Sequence, residues 1–321
     1  MTIDEFSLIN EFFTNCTHKR DDVSLAIGDD CALATVPLGY ELAISIDTLI
    51  EGIHFTAAIN PAALGHKALA VGLSDLAAMG ATPAWATLAL TLPRVDRIWL
   101  AQFTQGLSEL AVNHGVQLIG GDTTRGSLAV TMQLHGFVPK GKALRRDKAC
   151  VGDGIYVTGT LGDAGLALQA RLKGRELMPE NLFYAENRLD WPRPRVPEAQ
   201  AIRSLAHAAI DISDGLAADL RHILNRSGVG AVIEMESLPL SQPLQSSLER
   251  IEALTLALTA GDDYELCITA PLQAYQQMQV LLSNFGCSLT FIGVITEGSD
   301  LRCCLKDGTI FTPQYEGYRH F

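Results

Sequence analysis

The 321-residue sequence lacks the short signatures of the best-known phosphate-binding and hydrolytic sites. It has no G-x-x-x-x-G-K-[ST], because Gly141-Lys142 is followed by alanine, and no G-x-G-x-x-G after a predicted strand. H-E-x-x-H and G-x-S-x-G are also missing. Phosphate chemistry in this chain would therefore need another architecture, in which metal ions neutralise the phosphate charge.

Basic residues are also scarce. The chain has 24 Lys and Arg against 36 Asp and Glu, a formal net charge of -12. A nucleic-acid partner would require a basic stripe, so this class of partner is excluded. An acidic protein that binds a polyanion such as ATP needs cations between the two. The densest basic cluster is Lys140, Lys142, Arg145, Arg146 and Lys148.

Cysteine pairs with metal-ligand spacing are absent. The seven cysteines include no C-x-x-C, so we expect reduced thiols that act mostly as small buried apolar residues. The first residues show neither the basic nor the apolar region of a signal peptide. The uncharged segment 76–92 contains Gly80 and Pro83, and we interpret it as core rather than a membrane span. The expected location is cytoplasmic.

What the sequence does contain is an alternation of strand and helix patterns in two halves, which we place at 1–149 and 150–321. This alternation predicts an α/β fold of α+β layers. Residues 174–197, rich in Arg and Pro, are predicted to form a loop or extended segment. Predicted strands are 23–27, 42–46, 85–92, 116–119, 128–138, 154–159, 209–213 and 264–269, and predicted helices 61–80, 97–114, 164–172, 216–226 and 272–284.

Aspartates beside glycine or serine recur where these predicted strands end. Asp75 instead interrupts the apolar face of a predicted helix. Unpaired carboxylates next to apolar segments are costly, and oxygen ligands of this kind suit Mg²⁺ or Mn²⁺. The motifs are Gly28-Asp29-Asp30, Ser45-Ile46-Asp47, Ser74-Asp75, Gly120-Gly121-Asp122, Asp211-Ile212-Ser213-Asp214-Gly215 and Gly261-Asp262-Asp263. They predict a metal-dependent enzyme that handles phosphate.

In order and spacing these motifs resemble the thiamine-monophosphate kinase family, of the superfamily that includes aminoimidazole ribonucleotide synthetase. The resemblance adds Glu51-Gly52-Ile53-His54-Phe55, Thr123-Thr124-Arg125-Gly126 and Asp263-Tyr264-Glu265-Leu266, and runs from about Phe6 to Phe321. It implies a two-domain fold with an N-terminal domain that dimerises through its sheet. It also implies ATP- and Mg²⁺-dependent phosphorylation of thiamine monophosphate to thiamine diphosphate, by direct in-line transfer without a dedicated catalytic base.

The resemblance also implies roles for single residues. ATP would contact Gly121, Asp122, Arg146 and Ser213, and thiamine monophosphate would contact His54, Asp262 and Tyr318. The Mg²⁺ ligands would be Asp30, Ser45, the carbonyl of Ile46, Asp47, Asp75, Asp122, Asp211 and Asp214. Two positions depart from the family pattern: Ile46 replaces the usual hydroxyl residue, and Asp262 stands where glutamate is common.

Structural roles compete with several of these assignments. Asp29 and Asp122 could simply form turns, and Asp214 could cap the following helix. His54 could be structural, and residues 317–321 could merely dock the C-terminus. For the whole chain, the alternatives are another ATP-using enzyme of the superfamily, such as aminoimidazole ribonucleotide synthetase or selenophosphate synthetase, and a non-catalytic protein that binds metal or nucleotide. Cys16 lacks the glycine-rich setting expected of a selenophosphate synthetase.

Overall fold

The structure, a computed structural model, describes residues 5–313 and 317–318. The chain divides into an N-terminal unit, Met1–Leu76 with Ala81–Gly141, and a C-terminal unit, Ala77–Gly80 with Lys142–Phe321. Both units combine helices with β-sheet, which confirms the predicted α/β fold class. No helix in the described residues is long and apolar enough to cross a membrane.

The N-terminal unit is built on a four-stranded sheet with the order β3-β6-β4-β5. Strands β4 and β5 are parallel, whereas β6 runs antiparallel to both β3 and β4. Its elements are α1 (Glu5–Leu8), which continues into a π-helical turn (Ile9–Phe13), a small hairpin of β1 (Val23–Leu25) and β2 (Leu33–Ala34), β3 (Tyr40–Ile50), α2 (Pro61–Ala78), β4 (Thr82–Leu92), α3 (Arg97–His114), β5 (Gln117–Arg125) and β6 (Ala129–Pro139).

The ends of α3 show why the sequence forms a helix there. Asp96 accepts hydrogen bonds from the backbone N–H of Ile98 and of Trp99, which satisfies two donors at the start of the helix. At the other end Gly115 adopts a left-handed conformation with φ 63°. The predicted helix 97–114 is therefore confirmed, and α2 likewise begins at Pro61 as predicted.

Glycines allow α2 and α3 to approach each other closely. A Cβ at Gly65 would lie 2.0 Å from the carbonyl oxygen of Phe103, and one at Gly106 would lie 1.9 Å from that of Ala62. No larger residue fits at either crossing point. This close packing helps to bury α2, in which Ser74 and Leu76 are buried and Asp75 is half-buried.

The C-terminal unit is built on a seven-stranded sheet with the order β13-β12-β9-β11-β7-β10-β8. Its main apolar core includes Ile155, Ile210, Leu220 and Ile292, which join this sheet to its helices. The elements are β7 (Gly154–Thr158), α4 (Asp163–Lys173), α5 (Pro179–Asp190), α6 (Val196–Ile202), β8 (Ala208–Asp211), α7 (Leu216–Ser227), β9 (Gly230–Glu234), α8 (Gln242–Ser247), α9 (Arg250–Thr259), β10 (Leu266–Ala270), α10 (Tyr275–Ser283), β11 (Leu289–Thr296), β12 (Leu301–Cys304) and β13 (Ile310–Phe311).

The prediction of a loop or extended segment over 174–197 is wrong. Helix α5 fills much of it, with Pro179 at its first turn, where proline is tolerated because that N–H needs no helical partner. Asn181, Ala185 and Leu189, four residues apart, face the interior of the unit. This spacing was a helix signal, which the surrounding Arg and Pro residues obscured.

Candidate active site

Strand β3 and helix α2 bring three of the predicted ligands together. The hydroxyl of Ser45 donates a hydrogen bond to Asp75 Oδ2. Ser45 and Asp47 are two residues apart on β3 and therefore face the same side of the strand. The prediction that the strand ends at this motif is wrong, because β3 continues through Asp47 to Ile50.

Asp47 and Asp75 are close enough to perturb each other. Burial, followed by the negative charge of Asp75, raises the pKa of Asp47 to about 7. Within the described part of the chain, Asp47 Oδ2 is buried and has no hydrogen-bond partner. Two carboxylates side by side, one with a buried unpartnered oxygen, fit a bound divalent cation, whose charge would remove their repulsion.

Ile46 separates these two residues on the strand, and its side chain points the other way. It is 63% exposed and belongs to a row of exposed apolar residues on alternate positions of β3. This β3 row consists of Tyr40, Leu42, Ile44, Ile46 and Ile50. The missing hydroxyl at Ile46 therefore does not alter the side-chain chemistry on the face that carries Ser45 and Asp47.

A cavity of about 660 Å³ in the N-terminal unit collects a second group of predicted residues. Asp30, Gly121 and Asp122 line it, together with apolar side chains that include Ile9 and Phe13. Asp122 lies within β5 rather than after a strand, because β5 runs through the whole glycine motif to Arg125. Asp29 Oδ1 accepts a hydrogen bond at 2.8 Å from the backbone N–H of the next residue, Asp30.

Gly121 has a structural task of its own. Its φ of 153° and a Cβ position only 1.9 Å from the carbonyl oxygen of Leu88 exclude any side chain. The family resemblance implies that Gly121 contacts ATP. In the structure the neighbour that approaches is the backbone of β4.

His54 is fixed by a local contact. Its Nδ1 accepts a hydrogen bond from the backbone N–H of Ile50 at 3.0 Å, just after β3 ends. Because Nδ1 accepts this bond, the neutral ring carries its proton on Nε2. The side chain is half-buried.

In the C-terminal unit, backbone hydrogen bonds bring four predicted residues together. Asp262 N donates to Ser213 O at 2.9 Å, and Tyr318 N donates to Asp214 O at 3.0 Å. Asp262 has φ 64°, an unusual conformation for a residue with a side chain, and its Oδ1 accepts a bond from Tyr264 OH at 3.1 Å. Asp262, Ser213, Asp214 and Tyr318 therefore form one surface region of this unit.

Asp219 is a residue that the sequence analysis missed. Its Oδ2 accepts the backbone N–H groups of Ser213, Asp214 and Gly215 at 3.0, 3.0 and 3.1 Å. Gly215, rather than Asp214, occupies the N-cap position of α7, so the alternative that Asp214 caps this helix is wrong. Burial raises the pKa of Asp219 to about 7 despite the three hydrogen bonds. In the sequence, the only sign of this role is an aspartate four residues after Gly215.

Two further predicted residues belong to the C-terminal unit. Asp211 ends β8 and is buried. Arg146 is exposed, and its backbone carbonyl accepts a hydrogen bond from Ser227 Oγ at 2.8 Å. Of the predicted docking segment 317–321, the last three residues lie outside the described residues.

Comparison with known proteins identifies the family. Residues 28–138 match the N-terminal domain of AIR synthase related proteins, and residues 151–306 match the C-terminal domain. The thiamine-monophosphate kinase of Escherichia coli (strain K12) is 50% identical, over 100% of this chain and 99% of the relative. That of Bacillus subtilis (strain 168) is 33% identical, over 99% of this chain and 100% of the relative.

Solved structures agree with these matches. The crystal structure of thiamine-monophosphate kinase from Stenotrophomonas maltophilia K279a has a TM-score of 0.88 and 43% identity, covering 97% of this chain and 99% of that one. AaThiL complexed with AMPPCP and TMP has a TM-score of 0.78 and 31% identity, covering 89% of each chain. The chain therefore belongs to the thiamine-monophosphate kinase family of AIR synthase related proteins.

Proposed function

We propose that this protein transfers the γ-phosphoryl group of ATP to the phosphate of thiamine monophosphate, which yields thiamine diphosphate and ADP. The observation that carries the proposal is the group formed by Ser45, Asp47 and Asp75, in a chain of this family. A relative of the same fold has been solved with AMPPCP and TMP. The relatives named above are thiamine-monophosphate kinases, which favours this activity over the other enzymes of the superfamily.

The proposed metal is Mg²⁺, held by oxygen ligands. In the N-terminal unit Asp47 and Asp75, with Ser45, fit this role best, because their charges and the unpartnered Asp47 oxygen call for a cation. The other proposed ligands are Asp30, the Ile46 carbonyl, Asp122, Asp211 and Asp214. When bound, Mg²⁺ supplies charge neutralisation for the two reacting phosphate groups.

The chemistry explains why no catalytic base is proposed. The acceptor phosphate, with a second pKa near about 6, is already anionic at neutral pH. One of its oxygens forms a bond to the γ-phosphorus while the bond from that phosphorus to the β-phosphate oxygen breaks, and ADP leaves. Catalysis then consists of orienting two polyanions and offsetting their repulsion.

The cavity in the N-terminal unit suits the nucleotide. Its volume of about 660 Å³ lies within the roughly 300–1,000 Å³ typical of small-molecule sites. Ile9 and Phe13 offer an apolar wall for a base, whereas Gly121 and Asp122 lie on the polar side. Arg146 and Ser213, in the C-terminal unit, are the other proposed ATP contacts.

The proposed thiamine contacts are His54, Asp262 and Tyr318. The thiazolium of thiamine is permanently cationic, and a tyrosine ring attracts such a cation. Tyr318 is exposed, and its backbone is held beside Asp214. The acidic side chain of Asp262 lies in the same region.

The proposed assembly is a cytoplasmic homodimer formed through the N-terminal sheet. The β3 row supports it, because an edge strand with five exposed apolar side chains is rare on a monomer. Strands β4 and β6 of the same sheet do not supply this apolar face. Their large apolar residues, such as Leu88, Leu90 and Met132, are instead buried inside the unit.

Product analysis tests the proposed reaction directly. Incubation of the protein with ATP, Mg²⁺ and thiamine monophosphate should release ADP only when the acceptor is present. A non-catalytic binding protein would bind ATP without releasing ADP. Acceptor-independent release of phosphate would indicate an ATPase and contradict the proposal.

A further inference from the structure

We infer that the C-terminal unit carries a separate site for a thiophilic divalent cation such as Zn²⁺, formed by Cys150, Asp153 and His207. The thiol sulfur, a carboxylate oxygen and an imidazole nitrogen of these residues all lie within 4.8 Å of one another. Among the residues that the structure describes, no other group of three or more His, Cys, Asp or Glu side chains is this compact. The three ligand types are those that proteins use for zinc.

The backbone places the three residues at one end of the large sheet. Asp153 directly precedes β7 and His207 directly precedes β8. Both strands run antiparallel to β10, which lies between them, so they start at the same end of the sheet. Cys150 reaches this end of the sheet through the turn before β7, where Asp153 N donates to Cys150 O at 3.0 Å.

Asp153 is held in place by burial and by hydrogen bonds. It is only 3% exposed, and its Oδ2 accepts a hydrogen bond from Cys150 N at 2.9 Å. His207 Nδ1 lies 3.0 Å from each of its carboxylate oxygens. The backbone of His207 is fixed as well, since its N–H donates to Thr269 O at 2.8 Å. On binding, His207 Nδ1 would release its proton, and the ion would replace the hydrogen bond between His207 and Asp153.

The geometry and charge suit a tetrahedral ion. Bonds of about 2.3 Å to sulfur and about 2.0–2.1 Å to nitrogen and oxygen place ligand atoms roughly 3.3–3.7 Å apart. The distance of 3.0 Å between His207 Nδ1 and Asp153 Oδ1 is close to these values. The exposed side chain of Cys150 can rotate to bring its sulfur to the ion. A thiolate and a carboxylate together balance the two positive charges, and water can take the fourth position.

This site is separate from the proposed Mg²⁺ ligands in both position and chemistry. His207 precedes β8, whereas Asp211 ends it, four residues or about 13 Å along an extended strand. Thiolate and imidazole ligands favour zinc over magnesium, whereas the predicted ligand set consists of oxygen atoms. A bound ion would join the starts of β7 and β8 and act as a structural clamp.

Titration of the metal-free full-length protein with Co²⁺ tests the site, because thiolate ligation gives an intense charge-transfer band that oxygen ligands do not. We expect this band in the wild-type protein, its loss in Cys150→Ser and its displacement by Zn²⁺. In a chelator competition, Cys150→Ser should weaken Zn²⁺ binding by at least about tenfold, the effect that loss of an outer-shell partner already has. Cys150 is exposed, so this variant should fold.

Cys31→Ser is the matched control, because Cys31 is exposed and lines the N-terminal cavity beside Asp30. It should retain the full band. Absence of the band in the wild-type protein, its persistence in Cys150→Ser or its loss in Cys31→Ser would each overturn the proposal. His207→Gln gives a further check, since a site that uses this imidazole must also bind Zn²⁺ more weakly in that variant.

Discussion

Arg195 and Glu265 form a two-pronged ion pair inside the C-terminal unit, with Arg195 Nε and Nη2 at 2.7 and 2.6 Å from the two carboxylate oxygens. Burial by itself raises the pKa of Glu265, but the charge of Arg195, aided by Arg188, lowers it below its ordinary value. Glu265 follows the segment that carries Asp262, and its carbonyl accepts a hydrogen bond from Ile212 N at 2.8 Å. The ion pair therefore anchors one side of the proposed substrate region.

Loss of this anchor should destabilise the protein. Glu265→Gln leaves Glu198 as the remaining carboxylate paired with Arg195, so the buried arginine charge is only partly compensated. We expect the free energy of unfolding to fall by up to about 3–5 kcal/mol. Denaturant unfolding measures this change. The control is Glu252→Gln, whose partner Arg175 is one third exposed, and its effect should be under about 1 kcal/mol. Equal effects of the two substitutions would show that the buried pair has no special role.

The Asp47–Asp75 pair predicts how Mg²⁺ binding depends on pH. Without metal, the folded-state pKa of Asp47 is about 7, above its ordinary value of 3.8. Its contribution to stability is thus full below about pH 4 and is lost as the pH rises towards 7. Because Mg²⁺ competes with the proton, the rise in Tm on adding Mg²⁺ should increase from pH 5 to pH 8.

Asp75→Asn is the test variant for that prediction. It keeps the size of the side chain but removes the neighbouring charge, so the Mg²⁺-induced rise in Tm should shrink and turnover should fall. Scanning calorimetry with Mg²⁺ or with a chelator measures the first effect. A pH-independent Mg²⁺ effect, or normal turnover in this variant, would show that these carboxylates are not metal ligands.

The β3 row predicts a dimer. Sedimentation at micromolar concentration should give about twice the chain mass of 34.6 kDa. Ile44→Lys places a charge in the middle of the row and should yield monomers, because a buried unpaired charge opposes association. Val280→Lys, at an exposed position on α10, should remain dimeric. A monomeric wild-type protein would rule out this role of the β3 row.

The proposed contact of Tyr318 with thiamine predicts how its substitution changes KM for the two substrates. Tyr318→Ala removes the aromatic contact with the thiazolium, worth about 0.5–2 kcal/mol, so KM for thiamine monophosphate should rise roughly 2- to 30-fold. KM for ATP should stay the same, and Tyr318→Phe should behave like the wild-type protein. A fall in Tm with both KM values unchanged would instead assign Tyr318 to docking of the C-terminus.

Local signals in the sequence were enough to predict much of the fold. Helix α3 carries its cap, its apolar periodicity and its terminal glycine within 20 residues, and both ends were predicted correctly. Helix α5 was missed because Pro179 and the nearby Arg-Pro segment outweighed its periodicity. Strands β3 and β5 extend past their aspartates because neighbouring strands pair with those residues, and strand pairing cannot be seen in a short motif.

In the candidate site, too, the chemistry of single residues could be predicted from the sequence, whereas contacts between distant residues could not. The chemistry of Asp47 and Asp75 could be predicted from their apolar surroundings, but their mutual contact depends on how α2 lies against β3. The role of Asp219 depends on the turn before α7. Cys150 and His207 are separated by more than fifty residues in the sequence, so only the pairing of β7, β10 and β8 brings them together.

The most direct test of the proposed reaction is ³¹P NMR of the protein with ATP, Mg²⁺ and thiamine monophosphate. We predict that the thiamine monophosphate signal is replaced by the two signals of a diphosphate ester, with one ADP formed for each. Unphosphorylated thiamine should give no such product, because it lacks the attacking phosphate. If thiamine monophosphate remains unchanged while the wild-type protein is folded and binds ATP, the proposed phosphoryl transfer is contradicted.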